Sequence, residues 1–128
     1  MAFDITRPIL LVDDYVTMLR ILRNIFVQLK FTNIHEATDG VTALAELRAG
    51  DYSLIMSDWN MEPMTGLQLL KEVRADDRLR AVPFIIITAE SKIENVVAAK
   101  EAGVSNYIVK PFNAATLKAK LTSVLGPF

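Results

Sequence analysis

The chain has 128 residues, 52% of them hydrophobic and 23% charged, a composition that predicts one folded domain rather than a disordered segment. Its 14 basic and 15 acidic residues nearly cancel, which argues against nucleic-acid binding through bulk positive charge, and the lack of cysteine excludes disulfides, thiolate zinc sites and cysteine nucleophiles. The first eight residues show no secretory pattern, and no apolar run approaches the ~20 residues that a membrane-spanning helix needs. We therefore expect a cytoplasmic protein with no membrane insertion.

Short apolar runs alternate with segments of helical periodicity along the chain. Strands are expected at residues 9–12, 34–37, 52–57 (ending on Asp58), 84–87 and 107–109. The intervening segments carry apolar residues at helical spacing, in chain order Met18, Leu22, Ile25, Phe26 and Leu29; Val41, Leu44 and Leu47; Leu67, Leu70 and Val73; Ile93, Val96, Val97 and Ala99; Leu117, Leu121 and Val124.

Helix-limiting residues fall between these segments. Asp39 and Gly40 open the second helix and Gly50 ends it, Gly103 closes the fourth, and Asn113 is a plausible N-cap for the fifth. A strand followed by a helix, five times over, predicts a parallel sheet covered by helices on both faces. With no linker or low-complexity tract, residues 1–128 are expected to form a single domain.

Polar residues follow four of the five predicted strands. Asp13 and Asp14 end the first strand, Asp58 the third, Thr88 the fourth and Lys110 the fifth. Ligands of an open parallel sheet bind outside the carboxyl ends of its strands, so these residues are expected to share one site.

The chemistry of this set points to phosphoryl transfer. Three adjacent carboxylates raise each other's pKa unless a cation lies between them, and Mg²⁺ prefers such oxygen ligands. Asp58 follows a buried run on the middle strand and is the best-placed nucleophile for forming an acyl phosphate. Lys110 offers a positive charge, and Thr88 a hydroxyl, to the oxygens of a phosphoryl group.

Five segments together resemble the receiver-domain family of two-component signalling, and within it the CheY-like single-domain chemotaxis regulators. They are LLVDDYVTMLRILRN from Leu10, EATDGVTAL from Glu36, SDWNM from Ser57, ITAESKIENVVAA from Ile87 and YIVKPFNAATLKAKL from Tyr107. The resemblance covers essentially the whole chain. It implies a flavodoxin-like (βα)5 three-layer α/β sandwich with a parallel five-stranded sheet of order 2-1-3-4-5.

The resemblance also implies partners. A histidine kinase (CheA-like) would donate a phosphoryl group to Asp58 with Mg²⁺, and phosphorylation would change the affinity for a target such as a flagellar switch component. A phosphatase is possible, a monomer is expected, and the only reactions catalysed would be the protein's own phosphorylation and dephosphorylation. The alternatives are a receiver acting as a phosphate sink or outside chemotaxis, and a small-substrate aspartyl phosphatase, for which no insertion supplies a cap.

Residue roles follow from the same resemblance. Mg²⁺ would be held by Asp13 (partly through water), Asp14, Asp58 and the backbone carbonyl of Asn60. Thr88 and Lys110 would bind the phosphoryl group, and a cis Lys110–Pro111 peptide is common in the family. The remaining roles are switch residues Thr88 and Tyr107; dephosphorylation-tuning residues Asn60 and Glu90; and an output face of Lys92, Ile93, Tyr107, Val109, Lys118 and Lys120.

Some residues depart from the family pattern or allow a simpler interpretation. Glu62 stands where proline usually follows the methionine, and Thr65 replaces an acid before the glycine. On the output face, Ile93 replaces a lysine and Lys118 an acid. Asp13 and Asp14 could instead form a solvated turn capping a helix, Lys110 a structural ion pair, and Trp59 a loop aromatic without a role. The single histidine, His35, is expected to be structural.

Overall fold

The computed structural model describes residues 3–89 and 93–128, except the side chain of Ile93. Strands and helices alternate through these residues. The strands are β1 (Ile9–Val12), β2 (Ile34–Ala37), β3 (Leu54–Asp58), β4 (Phe84–Thr88) and β5 (Asn106–Val109). The helices are α1 (Val16–Gln28), α2 (Gly40–Ala49), α3 (Gly66–Ala75), α4 (Ile93–Glu101) and α5 (Ala114–Leu125).

The strands form one parallel sheet of order β2-β1-β3-β4-β5, which confirms the predicted topology. In the register, Val12 of β1 lies opposite Ser57 of β3, and Asp58 lies opposite Ile87 of β4. The carboxyl ends of β1, β3 and β4 therefore meet at one edge, next to the point where the strand order reverses.

Helices cover both faces of the sheet, so β1, β3 and β4 are buried throughout and are apolar except at the carboxyl ends of β3 and β4. Alternate side chains of each strand enter opposite cores. Leu10, Ile55 and Ile86 pack with α2 and α3, whereas Leu11 and Met56 pack with α1 and α5. The molecule is thus a three-layer sandwich, as expected.

Several sequence expectations about the elements need correction. β4 ends at Thr88, one residue later than predicted. β3 begins at Leu54, because its partner β1 starts at Ile9 and the preceding Pro8 has no N–H to extend the ladder. β5 begins one residue earlier than predicted, at Asn106.

Two apolar residues at helical spacing are exposed rather than buried. Val41 is 53% exposed, because the buried stripe of α2 passes through other positions, at residues 40, 43, 44 and 47. Val97 of α4 is 45% exposed.

Side-chain caps fix the start of three helices. Asp39 accepts a hydrogen bond from the backbone N–H of Thr42, and Asn113 accepts one from Thr116, so the predicted cap at Asn113 is confirmed. Gly103 has φ +92°, a left-handed conformation that suits glycine just after α4. No helix in the described part of the chain is both long and apolar enough to cross a bilayer.

Candidate functional site

Three aspartates converge at the carboxyl edge of the sheet. β1 delivers Asp13 and Asp14 in the turn before α1, and β3 ends on Asp58. One carboxylate oxygen from each lies within 4.8 Å of the other two. Asp13 and Asp58 are buried, at 1% and 6% exposure, whereas Asp14 faces solvent. The predicted acidic cluster is therefore present, with two of its carboxylates largely withdrawn from water.

Lys110 contributes positive charge to this cluster from the loop after β5. Its Nζ donates a hydrogen bond to Asp58 Oδ1 at 3.0 Å and lies 3.6 Å from Asp13 Oδ2. The Lys110–Pro111 peptide is cis, as the family resemblance implies. One lysine faces three carboxylates, so the cluster keeps an excess of negative charge.

Asp13 carries an oxygen without a hydrogen-bond partner. Its Oδ1 accepts from the backbone N–H of Tyr15 at 2.9 Å, while the buried Oδ2 has no hydrogen bond among the described residues. The contact with Lys110 is too long to supply one. Tyr15, not Asp13 or Asp14, is the N-cap residue of α1, and its side chain makes no cap bond. A buried, unsatisfied carboxylate oxygen of this kind suits a cation.

The electrostatics of the cluster follow from burial. Desolvation raises the pKa of Asp13 to about 6, with repulsion from Asp58 adding to it and the Tyr15 N–H opposing it. Desolvation also raises the pKa of Asp58, and the hydrogen bond from Lys110 only partly offsets this effect. Both carboxylates would gain from a divalent cation.

The chemistry of the donor set fits Mg²⁺, which binds oxygen ligands and tolerates a site open to water. Asp13, Asp14 and Asp58 supply three carboxylates, and the exposed Asn60 lies two residues beyond Asp58. The structure therefore contains an acidic site suited to a hard divalent cation.

Thr88 and Tyr107 lie beside this edge. Thr88 is the last residue of β4, fully buried, and follows Ile87, the residue opposite Asp58 in the ladder. Tyr107 on β5 is half-buried and lies opposite Ile86. Its ring contacts Trp59 edge-on, with centroids 6.5 Å apart. Trp59 is also half-buried, so the aromatic next to Asp58 packs against Tyr107 rather than projecting freely into solvent.

The loop after β3 contains features that the sequence analysis missed. A Cβ placed on Gly66 would lie 2.2 Å from the Asp58 carbonyl oxygen, so only glycine permits this close approach. The buried Ser57 hydroxyl donates to the same carbonyl at 2.9 Å. The Glu62–Pro63 peptide is cis. The contact with Gly66 brings the start of α3 against the end of β3.

Thr65 starts α3 through a capping box. Its hydroxyl accepts from the Gln68 N–H, and the Gln68 side chain accepts from the Thr65 N–H. The sequence carries this signal as Thr-x-x-Gln, the usual signature of a helix start. Threonine in place of the family's acid thus has a local structural reason.

A groove of about 370 Å³ opens beside the acidic cluster. It is lined by Asp14, Asn60, Met61, Glu62 and Thr65. Glu62 is exposed and lies outside the set of carboxylates close enough to share an ion. The loop departure at Glu62 therefore places a fourth carboxylate in the groove that Asp14 also lines, outside the three-aspartate cluster.

The predicted output-face residues are only partly described. Val109 is 39% exposed, Lys118 is exposed and Lys120 is partly buried. Glu90 and Lys92 lie outside the described residues, as does the side chain of Ile93. His35 makes an edge contact with Tyr52 and a hydrogen bond to Asn33, consistent with its expected structural role.

The chain is a doubly wound α/β domain whose buried aspartates and lysine lie at the switch point of the sheet, where such domains bind their ligands. Comparison with known proteins agrees: the response regulator receiver domain matches residues 9–122. The chain belongs to the response regulator receiver domain family.

Curated relatives place the chain near the chemotaxis branch of this family. It is 52% identical over 116 residues to chemotaxis protein CheY-3 of Vibrio cholerae serotype O1, covering 91% of this chain and 89% of that protein. It is 48% identical over 116 residues to chemotaxis protein CheY of Pseudomonas aeruginosa, covering 91% and 94%. The chain is a receiver domain homologous to CheY chemotaxis response regulators.

Solved structures show the same fold. CheY4 of Vibrio cholerae superposes with a TM-score of 0.86 at 32% identity, covering 94% of this chain and 99% of that one. The receiver domain of a Pseudomonas aeruginosa sensor histidine kinase superposes with a TM-score of 0.85 at 26% identity, covering 94% and 98%, and holds a magnesium ion in its active-site cleft.

Proposed function

We propose that this protein is a signalling switch, phosphorylated on Asp58 with Mg²⁺ by a histidine kinase of a chemotaxis pathway. One observation carries the proposal. The Asp58 carboxylate lies at the end of the central strand within a three-aspartate cluster, 3.0 Å from the Lys110 ammonium. A nucleophile, an acidic cation site and a positive charge for a phosphoryl oxygen therefore meet at one point.

The proposed transfer forms one bond to phosphorus and breaks another. An Asp58 oxygen forms a bond to phosphorus while the bond from phosphorus to the donor's imidazole nitrogen breaks, and that nitrogen keeps the electron pair and takes a proton from solvent. Lys110 lies where it can follow an oxygen of the transferring group, and Thr88 lies one residue beyond the strand position opposite Asp58. Mg²⁺, held by Asp13, Asp14, Asp58 and the Asn60 carbonyl, would neutralise charge on the phosphoryl oxygens.

Labelling with a small phosphodonor tests this proposal. Incubation with Mg²⁺ and acetyl phosphate should add one phosphoryl group to Asp58, mapped by mass spectrometry, and Asp58→Asn should lose it. Asp77→Asn is the matched control, because its carboxylate is 94% exposed and lies in the loop between α3 and β4, away from the carboxyl edge of the sheet. Efficient labelling of Asp58→Asn would contradict the assignment.

We further propose that the protein works as one receiver domain whose output is a changed partner affinity, not turnover of a separate substrate. The family match spans residues 9–122, which leaves no second region of comparable size in this chain. Phosphorylation adds about −1.5 to −2 charges at one point, and such a change needs a nearby two-state element to be felt at a surface.

The route we propose for this coupling runs from Thr88 to Tyr107. The Thr88 hydroxyl would turn toward the phosphoryl group, and Tyr107 would move inward from its half-buried position, changing its edge contact with Trp59. The surface altered is that of α4, β5 and α5. Its described residues, Val109, Lys118 and Lys120, mix apolar and basic character, which suits an acidic amphipathic helix of a target such as a flagellar switch component. Asn60 and Glu90 would tune the lifetime of the phosphorylated state, as in the family.

Thr88→Ala tests the route. The variant should still bind a beryllofluoride mimic of the acyl phosphate at Asp58, but should gain less partner affinity from it than the wild type. A partial shift is expected, since moving a switch from 1:99 to 99:1 needs about 5.5 kcal/mol. Partner affinity with and without the mimic is the measurement, and Thr32→Ala, exposed in the loop between α1 and β2, is the control. An equal gain in Thr88→Ala and wild type would show that the route is wrong.

A further inference from the structure

We infer that Glu62 is a specificity-determining residue of the phosphorylation site, and that it disfavours small anionic phosphodonors at the site entrance. This inference rests on the proposed phosphorylation of Asp58 and adds to it a choice among donors. Glu62 lies on the loop after β3, is exposed, and lines the groove that runs beside the acidic cluster.

The position of Glu62 excludes direct coordination. Among the described residues, the carboxylates close enough to share one ion are Asp13, Asp14 and Asp58. Glu62 lies outside that set but shares the groove with Asp14 and Asn60. Its charge therefore acts on whatever crosses the groove through the electrostatic field, not as a metal ligand.

The charges around the entrance make this field negative. Asp14 and Glu62 are the ionisable residues among the five that line the groove, and both are acidic. The Lys110 ammonium is already engaged with Asp58 at 3.0 Å and lies 3.6 Å from Asp13. A phosphodonor that enters along this groove therefore passes two carboxylates, whereas the lysine that would attract it is already paired with Asp58.

Such a field acts with opposite sign on the two species that the site must take up. It attracts a divalent cation, and the unpartnered buried oxygen of Asp13 independently marks the place where a cation is needed. It repels a free dianion such as acetyl phosphate, and it repels a monoanion such as phosphoramidate less. A phosphohistidine on a docked protein is favoured by comparison, since protein contacts hold it against this repulsion.

A change in loop shape would not act in opposite directions on the binding of Mg²⁺ and on the entry of an anionic phosphodonor. If Glu62 acted by holding the groove open or closed, a substitution would alter entry of both donors alike, and salt would have little influence. A charge effect at an exposed position is instead screened by salt, with a screening length of about 10 Å at 0.1 M and about 3 Å at 1 M. Salt and donor charge therefore separate the two explanations.

The experiment measures phosphorylation rate constants at neutral pH, with Mg²⁺ held at saturating concentration for each variant, for acetyl phosphate and phosphoramidate. Glu62→Gln, which keeps size and removes charge, should raise the acetyl phosphate rate constant about two- to fourfold at low salt, and the phosphoramidate rate constant by a smaller factor. Glu62→Lys should raise the acetyl phosphate rate constant by roughly the square of the first factor. Both gains should disappear near 1 M salt.

A separate measurement without phosphate follows Trp59 fluorescence during Mg²⁺ titration. Glu62→Gln should weaken Mg²⁺ binding by about twofold or more at low salt. Glu101→Gln is the matched control, because it removes the same charge from the exposed end of α4, which lies toward the opposite edge of the sheet. The control should change neither the Mg²⁺ affinity nor the ratio of the two rate constants, that for acetyl phosphate to that for phosphoramidate.

The outcomes are distinguishable. If both donors label the wild type on Asp58 but Glu62→Gln leaves their ratio unchanged, or the gain persists at 1 M salt, the role of Glu62 is wrong and the proposed function stands. If Mg²⁺ binding tightens in Glu62→Gln, the field explanation is also wrong. If neither donor labels the wild type on Asp58, the proposed function fails and this inference with it.

Discussion

The backbone of Asp58 is held by residues that the proposed chemistry does not use. Its backbone carbonyl accepts from the Ser57 hydroxyl and approaches the α-carbon of Gly66, so the end of β3 is held from two sides. Its side chain is held by Lys110. A carboxylate fixed in this way would need little rearrangement before the proposed attack on phosphorus, and positioning of this kind is a main contribution of proteins to phosphoryl transfer.

Gly66→Ala tests how closely this packing is set. In a helix alanine is ordinarily favoured over glycine by about 1 kcal/mol, so propensity alone predicts stabilisation at the first residue of α3. The added Cβ would instead meet the Asp58 carbonyl at 2.2 Å, and we expect a loss of about 2–3 kcal/mol in the free energy of unfolding. Urea denaturation measures it.

Gly126→Ala is the comparison, because nothing lies within 4 Å of its added Cβ, although its φ of +80° makes any side chain strained. It should cost about 1–3 kcal/mol from backbone strain alone, because φ +80° with ψ −172° is a conformation almost confined to glycine. Gly66→Ala as stable as the wild type would mean that the loop moves aside readily, and that Asp58 is less tightly held than the contact indicates.

At the level of elements, the sequence predicts most of what builds the site. Buried parallel strands leave continuous apolar runs, and the polar residues that end these runs meet because strand ends share an edge. Asp13, Asp58 and Lys110 could therefore be placed together from the sequence. The strand order itself came from the family resemblance, since apolar runs alone do not say which strands are neighbours.

The elements predicted less well are those whose limits depend on partners. Tyr52 looks like a strand residue because it is apolar and buried, but β3 pairs only from Leu54, where β1 begins. Val41 looks like a core residue at helical spacing, yet it lies off the buried stripe of α2. Both errors come from reading hydrophobicity without the register of the neighbouring element.

The capping box at the start of α3 should contribute measurably to the stability of the protein. Thr65→Ala removes the hydroxyl that accepts from the Gln68 N–H and breaks the capping box, so it should destabilise the protein by about 1 kcal/mol. Thr65→Asp, which restores the acid usual in the family, keeps a capping oxygen and should retain most of the stability. Thermal or urea unfolding measures both variants.

Thr116→Ala controls for the loss of a threonine in the first turn of a helix. Its backbone N–H, not its side chain, takes part in the cap of α5, and its side chain is exposed. The change should lie within about 0.5 kcal/mol of the wild type. If Thr65→Ala behaves like this control, the capping box contributes little and the departure at Thr65 has another cause.

Across the whole molecule, the acidic cluster sets stability against function. Burying Asp13 and Asp58 disfavours their charged forms, and the pKa of each rises accordingly. The fold can carry this cost because, apart from Ser57 and Thr88, the other residues of β1, β3 and β4 are apolar and buried in the two cores. An acidic cluster suited to a divalent cation is thus expected to destabilise the fold most when the cation is absent and the carboxylates are ionised.

The buried carboxylates should make the stability of the fold depend on pH. The pKa of Asp13 rises from the ordinary 3.8 to about 6, so between these values the folded state binds more protons than the unfolded state. In a chelator, stability should therefore be greatest below this window and fall as pH rises through it, by on the order of 2–3 kcal/mol from Asp13. Asp58, whose pKa is also raised, adds to the same trend.

Urea unfolding at pH 4.5 and 7.5 in a chelator measures this dependence. Backbone hydrogen bonds are the main cause of the lowered pKa values of Asp39 and Asp76. The stability that these two carboxylates contribute is lost only when the pH falls below the ordinary aspartate pKa. They therefore do not oppose the trend between pH 4.5 and 7.5. Asp13→Asn should flatten much of the slope, whereas Asp77→Asn should keep it. If Mg²⁺ binds the ionised cluster as proposed, millimolar Mg²⁺ should restore stability at pH 7.5 in proportion to its occupancy. A wild type equally stable at both pH values in a chelator would show that Asp13 and Asp58 are hydrated well enough to ionise without cost.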